Sequence, residues 1–166
     1  MNRKHIQYLC LAALFAALTT ALTKVGVPVG NGVVHLGDAM IYLTGCLLPT
    51  PYAMAAAAVG GGLADMLSPF AMFAPATFII KAAIAALFSA KQATLLSRRN
   101  AWMTLPAAAI TVAGYYTAEL LLYSADWRAI AATSIPANLA QALGSAALFF
   151  ALAATLDKVR LKERLM

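Results

Sequence analysis

Between Arg128 and Asp157 the chain carries no charged side chain, and similar apolar stretches fill most of its 166 residues. A run of about 20 apolar residues crosses a bilayer as a helix. Only 11% of the residues are charged and 63% are hydrophobic, against roughly 25% charged in a soluble domain. So few charges cannot build a wetted surface, so lipid must cover most of the outside. The expected fold is an all-α integral membrane protein, a bundle of six transmembrane helices forming one domain over residues 1–166.

The breaks between apolar stretches place the six segments at about 6–24, 38–48, 52–66, 75–93, 102–123 and 134–156. The Gly- and Pro-rich stretch 26–37 reads as a loop or broken segment. Pro49-Thr50-Pro51 reads as a tight turn, 69–74 as a short loop, 97–100 as a polar turn and 124–133 as a loop. Pro136 suits the first turn of the last helix, and 157–166 is a basic, amphipathic tail. The N-terminal stretch resembles a signal peptide, but its apolar run is long and lacks a convincing cleavage site, so it reads as a retained first span. Cys10 and Cys46 sit in apolar stretches and read as small core residues.

The net charge of +6 does not point to nucleic acid, because the basic residues sit at segment ends, where they orient helices. With six spans, nine of them (Arg3, Lys4, Lys91, Arg98, Arg99, Lys158, Arg160, Lys162, Arg164) fall on one side and two (Lys24, Arg128) on the other. Cytoplasmic loops hold the excess of Lys and Arg, so both termini are expected in the cytoplasm.

Ionisable groups inside a membrane are costly and are usually functional. At about 1.5 Å per residue, Lys81, Tyr115, Glu119, Asn138 and Gln141 all fall in the outer half, near His35, Asp38 and Asp65. The inner half has almost no polar group. Residues three and four apart share a helix face, so Ser134, Asn138, Gln141 and Ser145 form one stripe and Tyr115, Glu119 and Tyr123 another, with Tyr116 beside Glu119. Aromatic rings next to amides and charges suit a planar, hydrogen-bonding ligand. The candidate substrate-binding residues are His35, Asp38, Lys81, Tyr115, Tyr116, Glu119, Asn138 and Gln141. The competing reading makes Lys81 and Glu119 a structural ion pair and the amides interhelical glue, with the tyrosines part of an interfacial belt. No metal site and no cofactor are expected.

Segment 1 repeats small residues at spacing four, with Ala12 and Ala16 on one line and Ala13 and Ala17 on the next. Such stripes allow close helix approach, whether for internal packing or for docking a partner. There is no Walker motif, HExxH or GxSxG, so the chain is not expected to be an enzyme. An oligomeric channel or facilitator is the rival reading. It needs a polar path through the inner half, and the sequence offers none.

Five segments in order carry a resemblance: VVHLGDAMIYLTGCLLP (33–49), YAMAAAAVGGGLADML (52–67), APATFIIKAAIAALFSA (74–90), GYYTAELLLY (114–123) and IPANLAQALGSA (135–146). With the alanine stripe, they resemble the substrate-binding S components of energy-coupling factor (ECF) vitamin transporters, in the group with carriers for riboflavin, hydroxymethylpyrimidine and pyridoxine. The resemblance implies a non-catalytic six-helix bundle in the plasma membrane of a prokaryote. It implies assembly with a transmembrane coupling subunit and two cytoplasmic ATPases. Ala12, Ala13, Ala16 and Ala17 would dock on the coupling subunit, loop 26–37 would gate the pocket, and the bundle would topple to release its cargo. Pyridoxine or hydroxymethylpyrimidine is the first expected ligand, then riboflavin or a queuine-type base.

Overall fold

The computed structural model describes residues 2–29, 32–123 and 126–165. Residues 30 and 31 of the expected first loop, 124 and 125 of the later one, and positions 1 and 166 lie outside the described residues. The order is α1 (Arg3–Lys24), β1 (Gly26–Val29), β2 (Gly32–His35), α2 (Asp38–Leu47), α3 (Thr50–Met66), a 3-10 turn (Ala71–Phe73), α4 (Ala74–Leu87), α5 (Arg98–Trp102), α6 (Thr104–Leu122), α7 (Trp127–Lys158) and α8 (Leu161–Leu165). The chain is all-α apart from one hairpin. Three helical stretches, Arg3–Lys24, Arg98–Leu122 and Trp127–Lys158, are long and apolar enough to cross a membrane, and Asp38–Leu47 and Ala71–Leu87 are shorter apolar helices. Large apolar side chains such as Leu14, Ile79, Leu121 and Leu143 stay exposed, as expected where the surrounding solvent is lipid rather than water.

α2 is the centre of the bundle. All ten of its residues are buried, and it packs against α1, α3, α4 and α7. A helix apolar all round belongs inside a larger assembly. At ten residues it is about 15 Å long, half the hydrocarbon thickness, so room is left in the bundle beyond its N-terminus.

α3 lies between α1 and α4 because glycine lets the backbones approach. A Cβ on Gly60 would stand 2.7 Å from the Ala16 carbonyl oxygen, and one on Gly61 2.8 Å from the Lys81 stem. Thr20 Oγ1 donates to the Gly60 carbonyl across this crossing at 2.8 Å. The crossing also separates the two alanine lines of α1. Ala12 and Ala16 are buried, while Ala13 and Ala17 are exposed.

Three expected boundaries change. The stretch 26–37 contains an antiparallel hairpin, with Gly26 opposite His35 and Val27 opposite Val34. Its signal was present, since valines flank a Gly-Asn pair. α4 ends at Leu87 rather than near 93. The following chain is held in a turn by the buried Asn100 amide, which bonds the Ser89 and Leu95 carbonyls at 3.2 Å each, and by Asp157, which accepts the Leu95 and Leu96 N–H groups at 2.8 and 2.9 Å. α7 begins at Trp127, so Pro136 lies inside the helix rather than in its first turn. Asp126 caps the new start by accepting the Arg128 N–H at 3.3 Å, and Ile130, 1% exposed, anchors the added turns.

Both ends of the described chain meet at one end of the bundle, where Gln7 Nε2 donates to the Leu165 carbonyl at 2.5 Å. Aromatic rings fill much of the interior at this end. Tyr42 stacks on Phe88 at 4.8 Å between centroids, and Phe149 meets both rings edge-on at 5.7 Å.

Gly60→Val is expected to force α1 off α3 and to lower stability by about 1–3 kcal/mol, the usual cost of overpacking. Val59→Ala, one residue away at an exposed position, is expected to leave it nearly unchanged. Thermal unfolding of the purified chain in detergent distinguishes the two.

Candidate functional site

The site is built around a buried charge pair. Lys81 Nζ on α4 and Asp38 Oδ1 at the start of α2 stand 2.6 Å apart, with side chains 2% and 0% exposed. Gln141 Nε2 on α7 donates to the second Asp38 oxygen at 3.1 Å. Asp38 also sits at a helix N-terminus, where the macrodipole favours a carboxylate. Lys81 therefore pairs with Asp38 and not with Glu119. Glu119 instead accepts the Ser134 hydroxyl at 2.8 Å.

Beyond this pair, at the hairpin end of the bundle, lies a cavity of ≈ 270 Å³. His35, Tyr115, Glu119, Asn138 and Gln141 line it. These are five of the eight residues expected to bind substrate. Asp38 and Lys81 lie behind the wall, buried, and touch the lining residues Gln141 and Tyr115, whose ring sits 4.9 Å from Lys81 Nζ. Tyr116 is half-buried on the same helix and is not among the lining residues.

The cavity also takes residues beyond those eight. Asp65, Ser134, Phe70, Phe73 and Lys24 line it as well. Asp65 and Ser134 carried a signal, as polar groups at the outer ends of two segments. The two phenylalanines carried none, because a ring in a short loop is not marked by any period. Thr77 joins Asp65 to Tyr115. Its hydroxyl donates to Asp65 Oδ2 at 2.5 Å and lies 3.1 Å from the Tyr115 hydroxyl.

A lipid-facing helical bundle with a polar cavity at one end and packed aromatic rings at the other has the build of a membrane-embedded binding subunit. A family model for the S component of the ECF-type riboflavin transporter matches residues 3–158. The chain belongs to this family of ECF transporter S components. It is therefore a membrane-embedded component of a transporter, of the kind that binds vitamin-type ligands and works with ECF module subunits, and it is not a catalytic subunit. No curated protein matches the chain.

The hairpin brings one titratable group to this site. His35 is 9% exposed, and its Nδ1 accepts the Gly37 N–H at 3.2 Å, so the neutral ring carries its proton on Nε2. Burial pushes its pKa down from 6.5 to about 4, with the Lys81 ammonium adding to the effect and the Asp38 carboxylate opposing it. As pH falls, the unfolded chain takes up this proton first, so stability rises with pH across this window. The contribution is complete above about 6.5 and is lost progressively towards about 4. The thermal midpoint of the wild-type chain is expected to fall across that interval. His35→Gln, which has no proton to take up, is expected to show a flatter profile in the same titration.

Proposed function

We propose that the chain is the high-affinity substrate-binding S component of an ATP-driven ECF-type importer in the plasma membrane of a prokaryote. In this reading α1, α2, α3, α4, α6 and α7 supply six crossings of one domain, both termini are cytoplasmic, and the hairpin end faces outward. The observation that carries the proposal is the one-sided cavity, polar at the hairpin end and backed by Tyr42, Phe88 and Phe149 at the other. A channel would need a polar path through those rings.

The cargo we propose is a water-soluble vitamin or precursor. A small pyridine or pyrimidine, pyridoxine or hydroxymethylpyrimidine, comes first, and riboflavin or a queuine-type base next. Cavity residues would hold the ligand by hydrogen bonds and by stacking on Tyr115, while Lys81 and Asp38 fix Gln141 and Tyr115 from behind. The hairpin 26–35 would gate the entrance. A transmembrane coupling subunit and two cytoplasmic ATPases would supply the movement. The docking line on α1 would be the exposed pair Ala13 and Ala17, since Ala12 and Ala16 are already packed inside.

Two experiments test this. Cells expressing the chain are expected to accumulate labelled ligand only when the coupling subunit and ATPases are co-expressed; accumulation by the chain alone would mean a facilitator. Ala17→Trp is expected to abolish that uptake while leaving calorimetric ligand binding by the isolated chain within about twofold of wild type, a difference of under 1 kcal/mol. Loss of both together would remove α1 from the docking role.

A further inference from the structure

Three hydrogen-bond chains end in the cavity wall, and each has its direction fixed by a group that only accepts. Ser134 Oγ lies 2.8 Å from Glu119 Oε1. A carboxylate accepts and a hydroxyl has one proton, so Ser134 donates here. Asn138 Nδ2 then donates to the Ser134 carbonyl and hydroxyl at 3.0 and 3.1 Å, which leaves Asn138 Oδ1 as an acceptor. Thr77 donates its proton to Asp65 Oδ2, so the Tyr115 hydroxyl donates to Thr77, 3.1 Å away, and is not available as a donor to the cavity. Gln141 Nε2 faces Asp38 at 3.1 Å, which leaves Gln141 Oε1 as its acceptor.

The Ser134–Asn138 and Thr77–Tyr115 chains therefore turn their donors into the protein and leave acceptors on the Glu119 and Asn138 side of the cavity, while Gln141 keeps one N–H beside its Oε1 and His35 keeps its Nε2–H. One of these acceptors is already desolvated. Glu119 is 8% exposed, and its Oε2 is buried with no hydrogen-bond partner among the described residues. A buried acceptor without a donor costs about 1–3 kcal/mol, more for a charged group, and a donor arriving in the cavity removes that cost. The charges agree. Asp65 and Glu119 are two carboxylates in the wall. Lys81 is matched by Asp38 behind it. Among the described residues the one ammonium in the wall is Lys24, which gives one of its three N–H groups to the Leu67 carbonyl at 2.5 Å and is outnumbered by the two carboxylates.

We infer that the cavity selects a ligand that turns a hydrogen-bond-donating, uncharged or cationic edge, an amino or ammonium group on a small heterocycle, towards Glu119 and Asn138, and that it rejects anionic ligands. The inference rests on the proposal above that this cavity is the ligand site, and it narrows the substrate class within it.

The test uses the full chain in detergent and calorimetric titration. The probes are hydroxymethylpyrimidine with its ring amino group, the same molecule with that group replaced by an oxo group, pyridoxine, pyridoxine phosphate and riboflavin. The amino compound is expected to bind at least about tenfold more tightly than its oxo counterpart, the minimum for losing one charge-assisted hydrogen bond. Pyridoxine phosphate is expected to bind more weakly than pyridoxine by a similar factor. Glu119→Gln, near-isosteric and able to donate, is expected to narrow the amino-to-oxo ratio to about threefold or less, with its thermal midpoint checked against wild type. The pair of ligands on the unmodified chain carries the test even where the variant is unstable. Equal or tighter binding of the oxo compound or of the phosphate ester overturns the inference and leaves the binding-subunit proposal standing. Binding of riboflavin alone among the probes, unaffected by Glu119→Gln, also overturns only the inference. Failure of every probe to bind a folded chain overturns both.

Discussion

A buried lysine–aspartate pair holds the bundle together at its hairpin end. Lys81 and Asp38 are 2.6 Å apart and buried, and Gln141 completes the coordination of the carboxylate. The three side chains come from α4, α2 and α7, so one small cluster joins three helices. Either charge alone would be intolerable at that depth. Removing one partner of such a pair strands the other, at a cost of about 3–5 kcal/mol. The cluster therefore fixes where the N-terminus of α2 stops, and that stop creates the cavity.

α2 is shorter than a full membrane span and is buried on every side. Its ten residues fill the half of the bundle near the chain termini, where Tyr42 packs with Phe88 and Phe149. The half beyond its N-terminus is left for the hairpin, the polar wall and the cavity. The two ends of the molecule thus have opposite chemistry for a single geometrical reason. The cavity at the hairpin end has a polar wall, and aromatic rings pack the interior at the other end. The chain's family is one whose members work with ECF module subunits.

The structure also separates the small residues of α1 into a buried line and an exposed line. Gly60 brings α3 onto the Ala12 and Ala16 line, and the neighbouring line of Ala13 and Ala17 stays open. Spacing four allows close approach but does not say which neighbour approaches. Only the position of Gly60 on the facing helix separates the two lines.

Much of the protein was legible in the chain because lipid and water leave few options. Charge scarcity and apolar runs fix the membrane setting. The depth of Glu119, Asn138 and Gln141 along their helices, at a fixed rise per residue, fixes the polar layer at one end. His35 was legible as a loop residue near it. The pairing of Lys81 with Asp38 was not, because a carboxylate at a helix start and one a turn inside another helix look alike in one dimension. Nor was the place of Phe70 and Phe73, or the early start of α7 at Trp127, where local helix-forming residues and the buried Ile130 outweighed the signal of Pro136. The sequence by itself determined the solvent, the approximate segments and the layer in which the chemistry sits, since those follow from polarity and periodicity along the chain. The tertiary structure alone decided which charge meets which, which way each hydrogen bond points and so which groups face the cavity, because those depend on how helices far apart in sequence turn their faces to one another.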